Sequence, residues 1–224
     1  MKIAIVIPVY NEGKRAVNTV KEILKVDRSS IIILVDDGSN DNSNELLSEN
    51  FSKNSRILIL SHSTNLGKGS AMKTGVERAF KLGCDSVIFL DSDGQHNAKH
   101  LTDFKKELQK SNLVFGYRKM GIEMPILRRF GNIMVVKLVK TLFNIQRSDI
   151  LCGYFGFNKS VYELIKWDES RYGVETEIAV RVAKNNLSFK EIKVDTIYID
   201  KYKGLGIFEA LGFLIKIPFW YFTK

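Results

Sequence analysis

Cysteine and proline are scarce in this 224-residue chain, with two of the first and three of the second. Cys84 and Cys152 lie far apart and form no CxxC pair. That excludes a disulfide framework and a zinc-ribbon site, and it fits a reducing compartment with both thiols buried or incidental. Few prolines, 16 glycines and no internal repeat exclude collagen-like, solenoid and low-complexity chains. No small-residue cleavage site follows the first apolar run, because Asn11-Glu12-Gly13-Lys14 comes next, so MKIAIVIPVY reads as a first strand and not a signal peptide. What the chain has is core material: 45% hydrophobic and 11% aromatic residues exclude disorder and leave a globular domain. Lys and Arg outnumber Asp and Glu by 34 to 25, giving a net charge of +9 and an expectation of an anionic partner. The basic residues are spread along the chain without a helix-turn-helix, zinc-finger or RNP-type pattern, so nucleic acid is not the expected one.

Apolar runs bounded by turn residues recur at Ile3 to Val9, Ile31 to Val35, Ile57 to Leu60, Val87 to Leu90 and Leu113 to Phe115. Each reads as a buried strand. Helix-period stripes lie between them: Ala16, Val17, Val20, Ile23 and Leu24; Met72, Val76, Ala79 and Phe80; Leu101, Phe104 and Leu108. The alternation predicts an α/β fold with a mainly parallel central sheet and helices on both faces. After residue 117 come a long apolar helix from Ile126 to Phe143, a Gly- and aromatic-rich run Cys152-Gly153-Tyr154-Phe155-Gly156 and a helix around Val174 to Ala183. No linker interrupts the chain, so residues 1–204 are expected to form one domain, with 205–224 as a C-terminal helical extension. Between Leu205 and Thr223 only Glu209 and Lys216 are charged, and with Gly212 they share one narrow stripe of an amphipathic helix. A membrane-spanning helix would bury that Lys at about 2.5 to 3.5 kcal/mol. An in-plane interfacial helix dipping Phe208, Phe219, Trp220 and Phe222 is the easier arrangement, beside packing on the protein's own core or on a second copy of the chain.

Ligands of open parallel sheets bind beyond the carboxyl ends of the strands. Here those positions are polar: Pro8-Val9-Tyr10-Asn11-Glu12, Asp36-Asp37-Gly38-Ser39, Asn65-Leu66-Gly67-Lys68-Gly69 and Asp91-Ser92-Asp93-Gly94-Gln95. In an extended chain residues i and i+2 project to the same side, so Asp91 and Asp93 can reach one hard cation, Mg²⁺ or Mn²⁺, with Gln95 adding a neutral oxygen. Taken alone, the same residues also make an ordinary helix-capping turn. Asp37 can accept from the ring N–H of a nucleotide base, and Lys68 at a glycine-rich helix start suits an anion, although the P-loop spacing is missing.

The four segments IPVYNE, DDGSNDNS, NLGKGSAMKTG and FLDSDGQH, in this order, resemble family 2 glycosyltransferases of the GT-A fold, most closely the dolichyl- or polyprenyl-phosphate mannose and glucose synthases. The resemblance runs over about residues 1 to 206, strongly before 130. It implies that Pro8, Tyr10, Glu12 and Asp37 hold the nucleotide, that Lys68 and Ser92 contact the donor, and that Asp91, Asp93 and Gln95 hold the metal. Gly116-Tyr117-Arg118 looks like the family's Gly-Ser-Arg segment with Tyr in place of Ser, and Arg128 and Arg129 match the position of an arginine brought to the phosphates. The family's late Arg-Gly-x-Ser-Lys motif is reduced to Lys201-Tyr202-Lys203-Gly204, leaving Lys201 as the cation there. Tyr172-Gly173-Val174-Glu175-Thr176-Glu177 resembles the acidic segment near the acceptor; the two Glu point about 200° apart on a helix, so one faces the pocket, and Glu177 is the choice.

The implied reaction is inverting transfer of a hexose, mannose or glucose, from a nucleoside diphosphate sugar (GDP-mannose or UDP-glucose) to a polyprenyl or dolichyl phosphate. Arg118 and Arg128 or Arg129 would offset leaving-group charge beside the metal. Such an acceptor makes the enzyme peripheral on the cytoplasmic face of a membrane, with Ile126 to Phe143 as an interface helix carrying Arg128, Arg129, Lys137 and Lys140, or as a buried helix with a basic edge. Two other readings stand beside it: transfer to a saccharide hydroxyl with Glu175, Glu177 or Asp149 as base, and a nucleotide-sugar binder without turnover.

Overall fold

Strand β1 (Ile3–Val9) is built from β-branched residues that suit a sheet buried on both faces, and it leads into helix α1 (Gly13–Val26). The chain continues as β2 (Ile31–Asp36), α2 (Ser43–Phe51), β3 (Ile57–Ser61), α3 (Lys68–Lys81), β4 (Ser86–Phe89), α4 (Leu101–Leu108), β5 (Leu113–Arg118), α5 (Ile126–Phe143), β6 (Phe155–Asn158), α6 (Tyr162–Ile165), α7 (Val174–Lys184) and β7 (Lys190–Val194). This computed structural model describes residues 1–119, 126–195, and 216, 217 and 220, with backbone alone for 126–128.

Among the described residues one seven-stranded sheet forms, in the order β3-β2-β1-β4-β6-β5-β7. β1 pairs in parallel with β2 and β4, β2 with β3, and β5 with β7. β6 runs antiparallel between β4 and β5. The mainly parallel sheet matches the sequence expectation. Within the aromatic run at 152–156, Phe155 and Gly156 open β6, and β7 is a further strand that the apolar pattern does not announce.

Successive strand residues feed two cores. Ala4 and Val6 of β1 join Val35, Val76, Val87 and Phe155 on the face covered by α3, α5 and α7. Ile5, Ile7 and Val9 join Val20, Leu34, Leu47 and Phe104 on the face covered by α1, α2 and α4. Helix α5 has two characters: Val135 and Val139 are buried, while Phe130, Ile133 and Met134 are 62%, 43% and 43% exposed.

At the C-terminus, Lys216, Ile217 and Trp220 are helical. Ile217 and Trp220 pack into the core beside α3, α5 and α7, and the Lys216 ammonium pairs with Glu169 at 2.6 Å. Trp220, 4% exposed, is thus packed against the protein's own core, unlike an indole projecting from an in-plane helix. Phe208, Phe219, Phe222 and Lys201 lie outside the described residues. Among the described residues no helix is long and apolar enough to cross a membrane.

Candidate active site

The carboxyl ends of β1, β2 and β4 sit side by side, so the segments following them meet at one edge of the sheet. Asn11 takes a left-handed conformation (φ 53°), turning the chain sharply after β1. That turn is fastened to the next loop: the N–H of Asn11 donates to Ser39 Oγ (3.0 Å), and those of Glu12 and Gly13 donate to Ser43 Oγ (3.1 and 2.7 Å). Asp37 draws in a third segment. Its Oδ1 accepts from the Leu66 N–H (3.0 Å) and lies 2.7 Å from His62 Nδ1, while Oδ2 accepts from the Gly67 N–H (2.7 Å). His62 Nε2 lies 2.9 Å from Thr74 Oγ1, which fits the tautomer that carries its proton on Nδ1. Asp37 thus holds the loop that opens α3. Gly67 (φ 99°) is required there, because a Cβ would overlap the Ser170 carbonyl oxygen.

The result is a cleft of about 820 Å³ lined by Pro8, Tyr10, Glu12, Asp37, Lys68, Asp91, Ser92, Asp93, Gln95 and Arg118, all expected from the sequence. His96, Gly153, Arg171 and Tyr172 line it as well, and so does Glu175. His96 closes the very segment, Asp91 to His96, that supplies the acids, and Arg171 immediately precedes the acidic segment, so proximity to those motifs was the available signal for both.

Opposite charges are interleaved at the floor. Lys68 Nζ lies 2.7 Å from both Asp91 Oδ1 and Glu175 Oε1. Burial pushes the Asp91 carboxyl up, but the Lys68 ammonium, aided by His96 and Arg118, outweighs this and holds it below the usual carboxylate range. Burial likewise pushes Lys68 down, and the two carboxylates more than reverse that. Asp93 behaves differently: burial raises its carboxyl, and the negative charge of Asp91 raises it further. Its Oδ1 accepts from the Gln95 N–H (2.9 Å) and its Oδ2 from Gln95 Nε2 (2.8 Å). Asp93 therefore carries charge that the surrounding protein compensates poorly. Burial lowers His96, against the pull of Asp91 and Asp93.

The guanidinium of Arg118 is gripped along one edge by Asp149, with Nε donating to Oδ2 at 2.6 Å and Nη2 to Oδ1 at 3.0 Å. Burial pushes the Asp149 carboxyl up and Arg118 overrides it, so Asp149 is held ionised. This fork-to-fork pair sets the plane in which Arg118 meets the cleft.

Two expected residues stand elsewhere, and a third has another task. Glu177 is fully buried away from the cleft; its carboxylate accepts from the Asp168 N–H (3.1 Å), the Glu169 N–H (2.7 Å) and Arg181 Nε (3.0 Å), so Glu175 is the acid that faces the pocket. Arg129 is exposed on α5 and does not line the cleft. Asp37 lines the cleft, yet its oxygens serve the 65–67 loop. The Arg128 side chain and Lys201 fall outside the described residues.

Comparison with known proteins decides the family. The model of "Glycosyl transferase family 2" matches residues 4–165. The chain belongs to glycosyl transferase family 2, and it is an enzyme. A UDP-N-acetylglucosamine–dolichyl-phosphate N-acetylglucosaminyltransferase from Methanococcus voltae is 29% identical, over 95% of this chain and 92% of that protein. An undecaprenyl-phosphate mannosyltransferase from Micrococcus luteus is 22% identical, over 91% and 86%. The crystal structure of glucosyl-3-phosphoglycerate synthase from Mycobacterium tuberculosis, in complex with Mn²⁺, UDP and phosphoglyceric acid, superposes with a TM-score of 0.73 at 14% identity, covering 99% of this chain and 78% of that one. That likeness establishes the GT-A fold of this family 2 glycosyltransferase.

Proposed function

We propose that this glycosyltransferase moves a hexose from a nucleoside diphosphate sugar to a polyprenyl phosphate at a membrane surface. One observation carries the reading: each of the three acids weighed as general base for transfer to a saccharide is already tied to a cation. Glu175 is paired to Lys68, Glu177 to Arg181 and Asp149 to Arg118. Transfer to a sugar hydroxyl needs a carboxylate to take a proton. A phosphate monoester, with its second pKa near 6, arrives largely deprotonated and needs positioning instead. Named relatives act on dolichyl and undecaprenyl phosphates, which supports the same acceptor class.

Asp91 and Asp93 with the Gln95 amide offer hard oxygen donors. They fit a divalent ion such as Mg²⁺ or Mn²⁺, and the poorly compensated charge on Asp93 is the feature that such an ion would answer. Among the described residues no cluster of three or more His, Cys, Asp or Glu side chains could hold a metal by itself. Two carboxylates and an amide suit a cation that also shares substrate phosphates. When bound, the ion would supply Lewis-acid stabilisation of the departing diphosphate.

The protein's own groups do the rest. Pro8, Tyr10 and Glu12 flank the nucleoside, with Asp37 bracing the loop beneath it. Arg118, fixed by Asp149, faces the diphosphate oxygens where negative charge accumulates as the glycosidic bond breaks. Lys68 and Glu175, joined across the floor, offer a donor and an acceptor to the sugar hydroxyls. The acceptor phosphate oxygen then attacks the anomeric carbon from the face opposite the diphosphate, inverting its configuration. Phe130, Ile133 and Met134 project from α5 with Lys137 exposed on the same side, an amphipathic stripe suited to an anionic lipid surface. That stripe supports a peripheral position on the membrane.

Incubating purified protein with Mn²⁺, a short polyprenyl phosphate and each radiolabelled nucleotide sugar in turn tests the reading. Label should enter the organic phase with one donor. Label that appears only on a water-soluble saccharide would refute the lipid acceptor, and no label at all would refute the donor class.

A further inference from the structure

Arg118 and Asp149 are linked to a residue that lies outside the cleft. Asn132, on α5, is 1% exposed, and its Nδ2 donates to Asp149 Oδ1 at 2.9 Å. Its Oδ1 is buried without a hydrogen-bond partner among the described residues. A buried amide oxygen left in that state is costly, and a residue that only filled space there would be better apolar. The cost is offset by what the other end of the amide does. Asp149 Oδ1 accepts from Asn132, from Arg118 Nη2 and from the Leu151 N–H, while Oδ2 accepts from Arg118 Nε and from the Arg118 N–H. The backbone carbonyl of Asp149 accepts from Arg147 Nη2 at 2.8 Å, and the Arg147 guanidinium stacks 3.6 Å above the Phe115 ring. Arg147 thus anchors the Asp149 backbone, while the carboxylate is held by Arg118 of β5 and steered from the side by α5.

We propose that Asn132 is a positioning residue of the transfer reaction, acting through Asp149 to aim the Arg118 guanidinium at the donor diphosphate. It rests on the donor site proposed above. On α5 it follows exposed Phe130 by two residues and immediately precedes exposed Ile133, so one turn of helix carries the outward stripe and the inward tether together.

The test is a double-mutant cycle on nucleoside diphosphate binding, measured by calorimetry with UDP and with GDP in the presence of Mn²⁺. The proteins are wild type, Asn132→Leu, Arg118→Ala and the double variant. Leu keeps the volume and removes the donor. In the wild-type background the substitution should weaken binding about tenfold, the scale of one hydrogen bond to a charged group. In the Arg118→Ala background it should change affinity by less than about twofold, because Asn132 then has nothing to aim. A tenfold loss in both backgrounds, or none in either, overturns the proposal while leaving the donor site standing. Failure of both UDP and GDP to bind wild-type protein overturns the donor reading and this proposal with it. Independently, the ¹⁵N-detected Nε–H resonance of Arg118 should be sharp and exchange-protected in wild type and broadened in Asn132→Leu. An unchanged resonance counts against the steering role. Asn132→Ala serves the same cycle if the Leu variant does not fold.

Discussion

Replacing Lys68 by Met should cost stability that a divalent cation can return. Lys68 Nζ is 2.7 Å from an oxygen of Asp91 and 2.7 Å from an oxygen of Glu175. At an effective dielectric constant of about 20, each contact is worth about 6 kcal/mol of Coulomb energy. Removing the ammonium also removes its own desolvation cost of several kcal/mol, and leaves two carboxylates short of a counter-charge. The balance is a loss of about 3 kcal/mol. For a chain of this size that is a drop of about 6 to 12 °C in melting temperature. Met preserves the stem packing, so the loss reports charge. Thermal melts in EDTA and in millimolar MnCl₂ separate the effects. Since Asp91 sits beside Asp93 and Gln95, Mn²⁺ should raise the variant's melting point by more than it raises that of wild type, recovering about half of the deficit. Equal shifts in the two proteins, or a variant as stable as wild type in EDTA, would refute the view that Lys68 balances the acid used for metal.

Asp27 offers a pH-dependent counterpart far from the cleft. Burial pushes its carboxyl up, but Lys105 at 2.7 Å and the N–H groups of Ser29 and Ser30 outweigh this and bring it from 3.8 to about 2. A depressed folded-state value means that the stabilisation is present above the unfolded value and disappears as pH falls through the folded one. Asp27→Asn should therefore cost about 2 kcal/mol near pH 6, and the gap in denaturant midpoints should close between about pH 4 and pH 2. A gap that persists at pH 2 would contradict this. At Gly153 an added methyl would meet the Asp91 carboxylate and, at 2.9 Å, Lys68 Nζ, both far ends of side chains. Gly153→Ala should thus lower kcat by more than about tenfold while leaving the melting point within about 4 °C of wild type; intact turnover would show that Asp91 needs no exact placement. Phe130→Glu combined with Ile133→Glu, both on exposed positions, should abolish sedimentation with anionic vesicles and leave the fold unchanged. Undiminished sedimentation would move the membrane contact off α5.

Much of the site could be read from the chain because parallel strands buried on both faces are continuous apolar runs, and each run ends where a polar loop begins. β1 and β2 come out nearly to the residue for that reason. β6 does not, since Phe155-Gly156-Phe157-Asn158 is short and interrupted by glycine, and its two partners are distant in sequence. The choice between Glu175 and Glu177 shows the same limit. Helical geometry says that the two diverge, but the selection is made by tertiary contacts: the backbone N–H groups of Asp168 and Glu169 and the side chain of Arg181 capture Glu177. Arg129 looked inward only by position in a motif, and α5 turns it to solvent.

The pairing of charges in the cleft also explains why the topology needs the inserted strand. β4 delivers Asp91 and Asp93, whereas β5 delivers Arg118, and both run in the direction that brings their ends to the same edge. Placed as direct neighbours they would leave no room for a backbone segment between acid and arginine. β6, antiparallel and lying between them, enters from that edge just after Asp149 and Gly153. Its approach supplies both the anion that orients Arg118 and the side-chain-free position that lets Asp91 and Lys68 meet. A single strand reversal thus sets the spacing between the groups assigned to the metal and the arginine assigned to the diphosphate, which is why substitutions at Asp149 and Gly153 should affect turnover although neither residue bears reacting atoms.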